Sequence, residues 1–150
     1  MDENKEAIAE AQQLETIETD RQFRVIRFSP DGKRLFGAAY DATIHRWDFS
    51  GETPEPLPPL EGHRGWADSL LFASERDLLL STDSWGQLCA WNLANDPPSV
   101  KWKNEDAHDG WIRAASLSAD QSLVATAGRD GQVRIWSTND GNLLHELAGH

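Results

Sequence analysis

The chain has 150 residues, a formal charge of −11 and one cysteine, Cys89, which excludes an internal disulfide and a covalently stapled fold. The excess of carboxylates repels phosphate backbones, so a nucleic-acid partner is not expected. No stretch reaches the roughly 18 apolar residues of a membrane span, and the acidic N-terminus lacks an apolar signal core, so no membrane partner and a cytoplasmic location are expected.

Residues 1–13 are rich in Ala and Glu with few apolar anchors, and read as an acidic flexible or helical tail. Residues 14–150 form a second region built on repetition. Segments 19–48, 63–92 and 108–137 align without a gap. Each ends in a tryptophan-led pair: Trp47-Asp48, Trp91-Asn92 and Trp136-Ser137. A histidine opens the second and third, and 28 residues separate His63 from Trp91 and His108 from Trp136. A period near 45 residues marks an array of stacked supersecondary units, each too small to bury its own faces.

Within each unit the pattern predicts four short strands. In the first they are 23–28, 34–39, 43–47 and a fourth near 56–60. Pro30-Asp31-Gly32 supplies the first turn. Pro54, Pro56, Pro58 and Pro59 remove ladder donors, so the fourth strand should be an edge, short or irregular. The second unit gives 66–72, 78–83, 87–91 and 100–103. The third gives 111–117, 122–127, 132–136 and 142–147, with an Asp-Gly turn at Asp130-Gly131. Residues 13–18 precede the first unit where a further outer strand would lie. Cys89, between Leu88 and Ala90, reads as a small core side chain.

Four antiparallel strands per period, a Gly-His before them and a Trp-Asp-like pair closing the third resemble the WD-repeat β-propeller family. The resemblance implies an all-β fold of four-stranded blades: blade one about 19–62, blade two about 63–107, blade three about 108–150. It also implies a hydrogen-bonded set inside each blade, running from Trp to a hydroxyl, to His, to Asp. The third unit carries it complete as His108, Thr126, Asp130 and Trp136. The second carries His63, Ser81 and Trp91, with Trp85 in the Asp column. The first keeps Asp41 and Trp47, with Thr19 for the His and Gly37 for the hydroxyl, so apolar packing should hold that blade. His108, Thr126 and Asp130 also spell a nucleophilic triad, but a hydroxyl committed to an indole is structural. His63, His108, His145 and His150 lack ligand spacing, so no metal and no cofactor are expected.

Three blades form an open arc, because propellers close with about four to eight. Either further blades are missing, which the opening of another unit at Gly149-His150 favours, or copies self-associate into a ring. The resemblance places recognition on the loop face, at Trp66 and Trp111, at Arg24, Asp68 and Arg113 two residues on, and at Tyr40, Ser84 and Arg129 in the turn, with Trp85 beside them. The expected function is a non-catalytic scaffold for a protein or peptide. The alternative is an enzyme or small-ligand propeller with its site at the central channel.

Overall fold

The computed structural model describes residues 12–147. Twelve strands form three separate four-stranded antiparallel sheets, each meandering in chain order. Blade one contains β1 (Phe23–Phe28), β2 (Arg34–Ala39), β3 (Thr43–Asp48) and β4 (Glu55–Glu61). Blade two contains β5 (Ala67–Ala73), β6 (Leu78–Asp83), β7 (Leu88–Asn92) and β8 (Ser99–Asn104). Blade three contains β9 (Ile112–Leu117), β10 (Leu123–Gly128), β11 (Val133–Ser137) and β12 (Leu143–Leu147). The first strands of the three blades lie side by side, so β1, β5 and β9 are innermost. No helix among the described residues is long and apolar enough to cross a membrane.

The cores lie between blades rather than within them. Phe36, Ala38, Ile44 and Leu60 of blade one meet Leu70, Leu79, Cys89 and Trp91 of blade two. Leu80, Leu88 and Ala90 from the other face of blade two meet Ile112, Val124 and Trp136 of blade three. Alternation along a strand sends Leu79 one way and Leu80 the other. Blade two is covered on both faces, so all six residues of β6 are buried: Leu78, Leu79 and Leu80 pack in the cores, and the polar Ser81, Thr82 and Asp83 follow at its loop end. Cys89 is fully buried, and burial pushes its thiol up to about 12. Asp96 of blade two adds a polar clamp, 3.1 Å from Arg34 and 3.9 Å from the buried Arg46 of blade one.

Nothing among the described residues covers the outer faces of the arc. Ile26 and Phe28 on β1 and Leu143, Leu144 and Leu147 on β12 are exposed.

One local reading holds and one needs correction. The fourth strand of blade one is an edge and is irregular, as expected, although β4 spans seven residues. Its ladder jumps from Arg46↔Leu57 to Ile44↔Leu60, and Pro58 and Pro59 occupy the gap, where no donor is required. Residues 13–18 form no strand. They pass along a cleft of about 300 Å³ shared with Trp47, Pro54 and Pro56, with no neighbouring strand to take their backbone groups. A single 3₁₀ turn, Ser74–Arg76, joins β5 to β6. The expectation of a flexible or helical tail falls on residues 1–13, most of which lie outside the described residues.

Candidate functional site

In blade three, Trp136 Nε1 donates to Thr126 Oγ1 at 2.8 Å, which lies 2.8 Å from His108 Nε2. His108 Nδ1 lies 2.9 Å from Asp130. A carboxylate only accepts, so Nδ1 carries the proton and Nε2 accepts from the hydroxyl. Burial alone would raise the Asp130 pKa. The hydrogen bond from His108 and the amides of Gln132 and Asp109 outweigh it and hold the carboxyl far below its usual range. Thr126 and His108 are buried, and the hydroxyl already accepts from an indole.

Blade two builds the same chain with a different acid. Trp91 Nε1 donates to Ser81 Oγ at 2.8 Å, and Ser81 lies 2.6 Å from His63 Nε2. His63 Nδ1 then meets Asp83, 3.3 Å away and fully buried. Trp85 leaves no gap in the set, because Asp83 reaches the histidine from two positions earlier. Asp83 also accepts from the amides of Arg64, Gly65, Trp85 and Gln87, at 2.9 to 3.2 Å. Trp85, released from the core, is 62% exposed. Its indole covers Gly65, where a Cβ would come within 2.5 Å of the ring.

Blade one replaces the chain with aromatic packing. Phe23 lies edge-on to Trp47 at 5.7 Å and to His45 at 5.6 Å. A Cβ on Gly37 would lie 2.7 Å from the Phe23 ring and 3.3 Å from Trp47 Cζ3. The benzo edge of Trp47 therefore faces the position where the other blades carry a hydroxyl. Asp41 finds a different histidine, His45 on β3, at 2.9 Å, together with Arg21 and Thr43. Thr19 takes no part in this set; its hydroxyl bonds locally to Arg21. Against burial, which would raise it, the bonds from Thr43 and His45 hold the Asp41 carboxyl at about 2.

These networks hold the loop ends of the sheets on which the candidate recognition residues stand. Each innermost strand shifts register against its neighbour at one place: between Phe23 and Val25, between Ala67 and Ser69, and beside Ala127/Gly128 opposite Ile112 and Ala114. The skipped residues are Arg24, Asp68 and Arg113. A bulge leaves one residue out of the ladder and re-aims its side chain, and here it does so three times at the inner rim.

The three bulge residues and the aromatics form one connected surface. Arg24 pairs with Asp68 and donates to the Tyr40 hydroxyl at 3.0 Å. The other oxygen of Asp68 accepts from Trp111 Nε1 at 2.7 Å. Tyr40 packs on Trp66 at 5.0 Å between ring centres, and Trp66 meets Trp111 edge-on at 5.9 Å. The guanidinium of Arg113 stands 3.7 Å from the Trp111 ring centre and that of Arg24 4.8 Å. Ser84 turns inward and accepts from the Trp66 amide at 2.9 Å. Arg129 is exposed, and its amide donates to the Trp111 carbonyl at 2.8 Å. Trp66 is 44% exposed while Trp111 is half-buried, so the first presents a free face and the second a platform. The register shifts and the committed state of Asp68 are invisible in the sequence, because the first arise from strand pairing within each blade and the second from side-chain contacts between blades.

The family model for the WD domain, G-beta repeat, matches residues 14–48 and 101–137. The chain carries WD repeats at both places. Among curated WD-repeat relatives it is 32% identical over 90 residues to small ribosomal subunit protein RACK1 of Caenorhabditis elegans, covering 59% of this chain and 27% of that protein. It is 24% identical over 134 residues to protein groucho of Drosophila melanogaster, covering 89% of this chain and 18% of that protein. The WD-repeat chain thus spans about a quarter or less of the length of these relatives. A chain in the crystal structure of the mitotic checkpoint complex superimposes with a TM-score of 0.75 at 17% identity, over 89% of this chain and 39% of that one. The computationally designed Ika8 protein gives a TM-score of 0.68 at 23% identity, over 85% and 37%. The fold is that of WD-repeat propellers, with three blades in an open arc.

Proposed function

We propose that this WD-repeat segment is a non-catalytic, cytoplasmic scaffold that holds a protein or peptide on its loop face. The observation that carries this reading is the aromatic rim of Tyr40, Trp66 and Trp111 running unbroken across three blades, with the exposed Trp85 beside it. Large rigid rings with polar edges give much contact area at low entropic cost and dominate the energetics of protein interfaces. The relatives point the same way: one is named as a ribosomal-subunit protein and one structural neighbour belongs to a checkpoint complex. The channel-enzyme alternative needs an available acid or base at the rim. The half-buried carboxylate there, Asp68, has both oxygens engaged by Arg24 and Trp111.

Binding of peptides from a random library, measured alongside circular dichroism, tests the scaffold reading. Trp66→Ala with Trp85→Ala should weaken binding at least tenfold with the β-sheet spectrum retained. Undiminished binding rejects this face. The same proposal requires cover for Ile26 and Phe28 on β1 and for Leu143, Leu144 and Leu147 on β12, either from further blades or from a second copy. Sedimentation distinguishes the two. A discrete dimer or trimer is expected if copies close the ring, and a polydisperse aggregate if further blades are required. A stable monomer contradicts both.

A further inference from the structure

The rim is charged in a way that the rest of the chain is not. Its bulge residues alternate Arg24, Asp68, Arg113 along the arc. Asp68 is spent, because one oxygen takes Arg24 and the other takes the Trp111 indole. Arg24 is thereby neutralised. No carboxylate among the described residues pairs with Arg113 or with Arg129. Both stand beside Trp111, one over its ring and the other bonded to its carbonyl. Blade three therefore presents two guanidiniums with no carboxylate partner among the described residues, that of Arg113 lying on the Trp111 ring and that of Arg129 carried by the adjoining backbone, in a chain of net charge −11.

A guanidinium stacked on an aromatic face keeps its N–H edge free, and that edge matches a carboxylate in bidentate geometry. A neutral or basic segment laid across this rim would desolvate two cations without a counter-charge, which is costly. Resting on the reading of the rim as a peptide surface, we infer that the segment held there is acidic, with an Asp or Glu side chain seated between Arg113 and Arg129 against Trp111. An apolar side chain next to it packs on the exposed face of Trp66. The arginines set which segment is accepted, and Trp66 and Trp85 supply area that any segment can use.

Phage-displayed random dodecapeptides panned on the purified chain, followed by fluorescence anisotropy of the enriched sequences, test this. The enriched peptides should carry Asp or Glu next to an apolar residue. Converting those acids to Asn or Gln should weaken binding at least tenfold. Arg113→Gln with Arg129→Gln should erase that tenfold difference while binding the amide peptide as the parent does. Enrichment without acidic preference, or a preference that survives the double variant, overturns the inference and leaves the peptide surface standing. Enrichment no greater than on the Trp66→Ala, Trp85→Ala variant overturns both. A labelled oligothymidylate that binds through the same arginines more tightly than any enriched peptide also overturns it, in favour of a single-stranded nucleic acid.

Discussion

Asp83→Asn is expected to cost the fold about 3 kcal/mol or more, the largest effect of any single polar substitution in the blades. The carboxylate is fully buried and accepts from His63 and from four backbone amides. Asparagine keeps one oxygen for Trp85 and Gln87. It turns an NH2 toward the amides of Arg64 and Gly65 and toward the His63 N–H, leaving donors facing donors. Each buried group left unsatisfied costs roughly 1–3 kcal/mol, and the site cannot collapse, because β6 is packed on both faces. Urea unfolding should show a lower midpoint at an unchanged slope. Asp130→Asn should cost less, since its carboxylate is partly open to solvent. A loss below about 1 kcal/mol for Asp83→Asn would show that water replaces the missing acceptor.

The same residue ties stability to pH. Burial by itself would raise the Asp83 pKa. The bond from His63 and the amides of Gln87 and Gly65 more than offset this and hold it at about 2, against 3.8 for a free carboxyl. The folded state therefore binds this proton less readily than the unfolded chain does. The resulting stability is fully present above about pH 4 and drains away as pH falls toward 2. Over that window the contribution is about 2–3 kcal/mol. Asp41 is depressed to about 2 as well and adds to the same acid limb. Asp83→Asn should make that limb shallower, leaving the part that Asp41 carries, as read by the urea midpoint between about pH 4 and about pH 2.

The architecture is written in the chain because each blade must bury its sides against a neighbour. That need repeats the same apolar and turn residues at one period, and the bounds of β1, β2 and β6 follow directly from it. Column alignment is weaker for the polar sets. It assumes that a carboxylate must come from one backbone position, whereas the histidine requires only that an oxygen arrive in one place. Asp83, two residues before Trp85, satisfies that from the end of β6. An acid standing two residues from an unsuited Trp was the available signal. The rim is only half legible. Its residue types stand in the aligned columns, but the bulges that aim Arg24, Asp68 and Arg113 arise from a mismatch in strand pairing. The pairing that neutralises Arg24 and leaves Arg113 open is a contact between blades, which no single unit encodes.

Restoring the family pattern in blade one should damage it. Gly37→Ser puts back the hydroxyl that Thr126 and Ser81 supply in the other blades, yet it is expected to destabilise by about 2–3 kcal/mol. The added Cβ would meet the Phe23 ring at 2.7 Å and the Trp47 ring at 3.3 Å. The hydroxyl would also face the Cζ3 edge of Trp47 and not its N–H, so it enters a packed site with no indole donor to accept from. The two departures belong together. Phe23 stands in the column that holds Ala67 and Ile112, and a larger side chain there requires a glycine opposite. Phe23→Ala alone should also destabilise, by removing a ring packed on His45 and Trp47. The double variant should then lose less than the sum of the two, because the serine fills space the ring has left. Thermal unfolding of the four proteins in this cycle measures that coupling. Strict additivity would mean that Phe23 and Gly37 do not compete for one volume, and that the aromatic packing of blade one does not substitute for the missing hydrogen bonds.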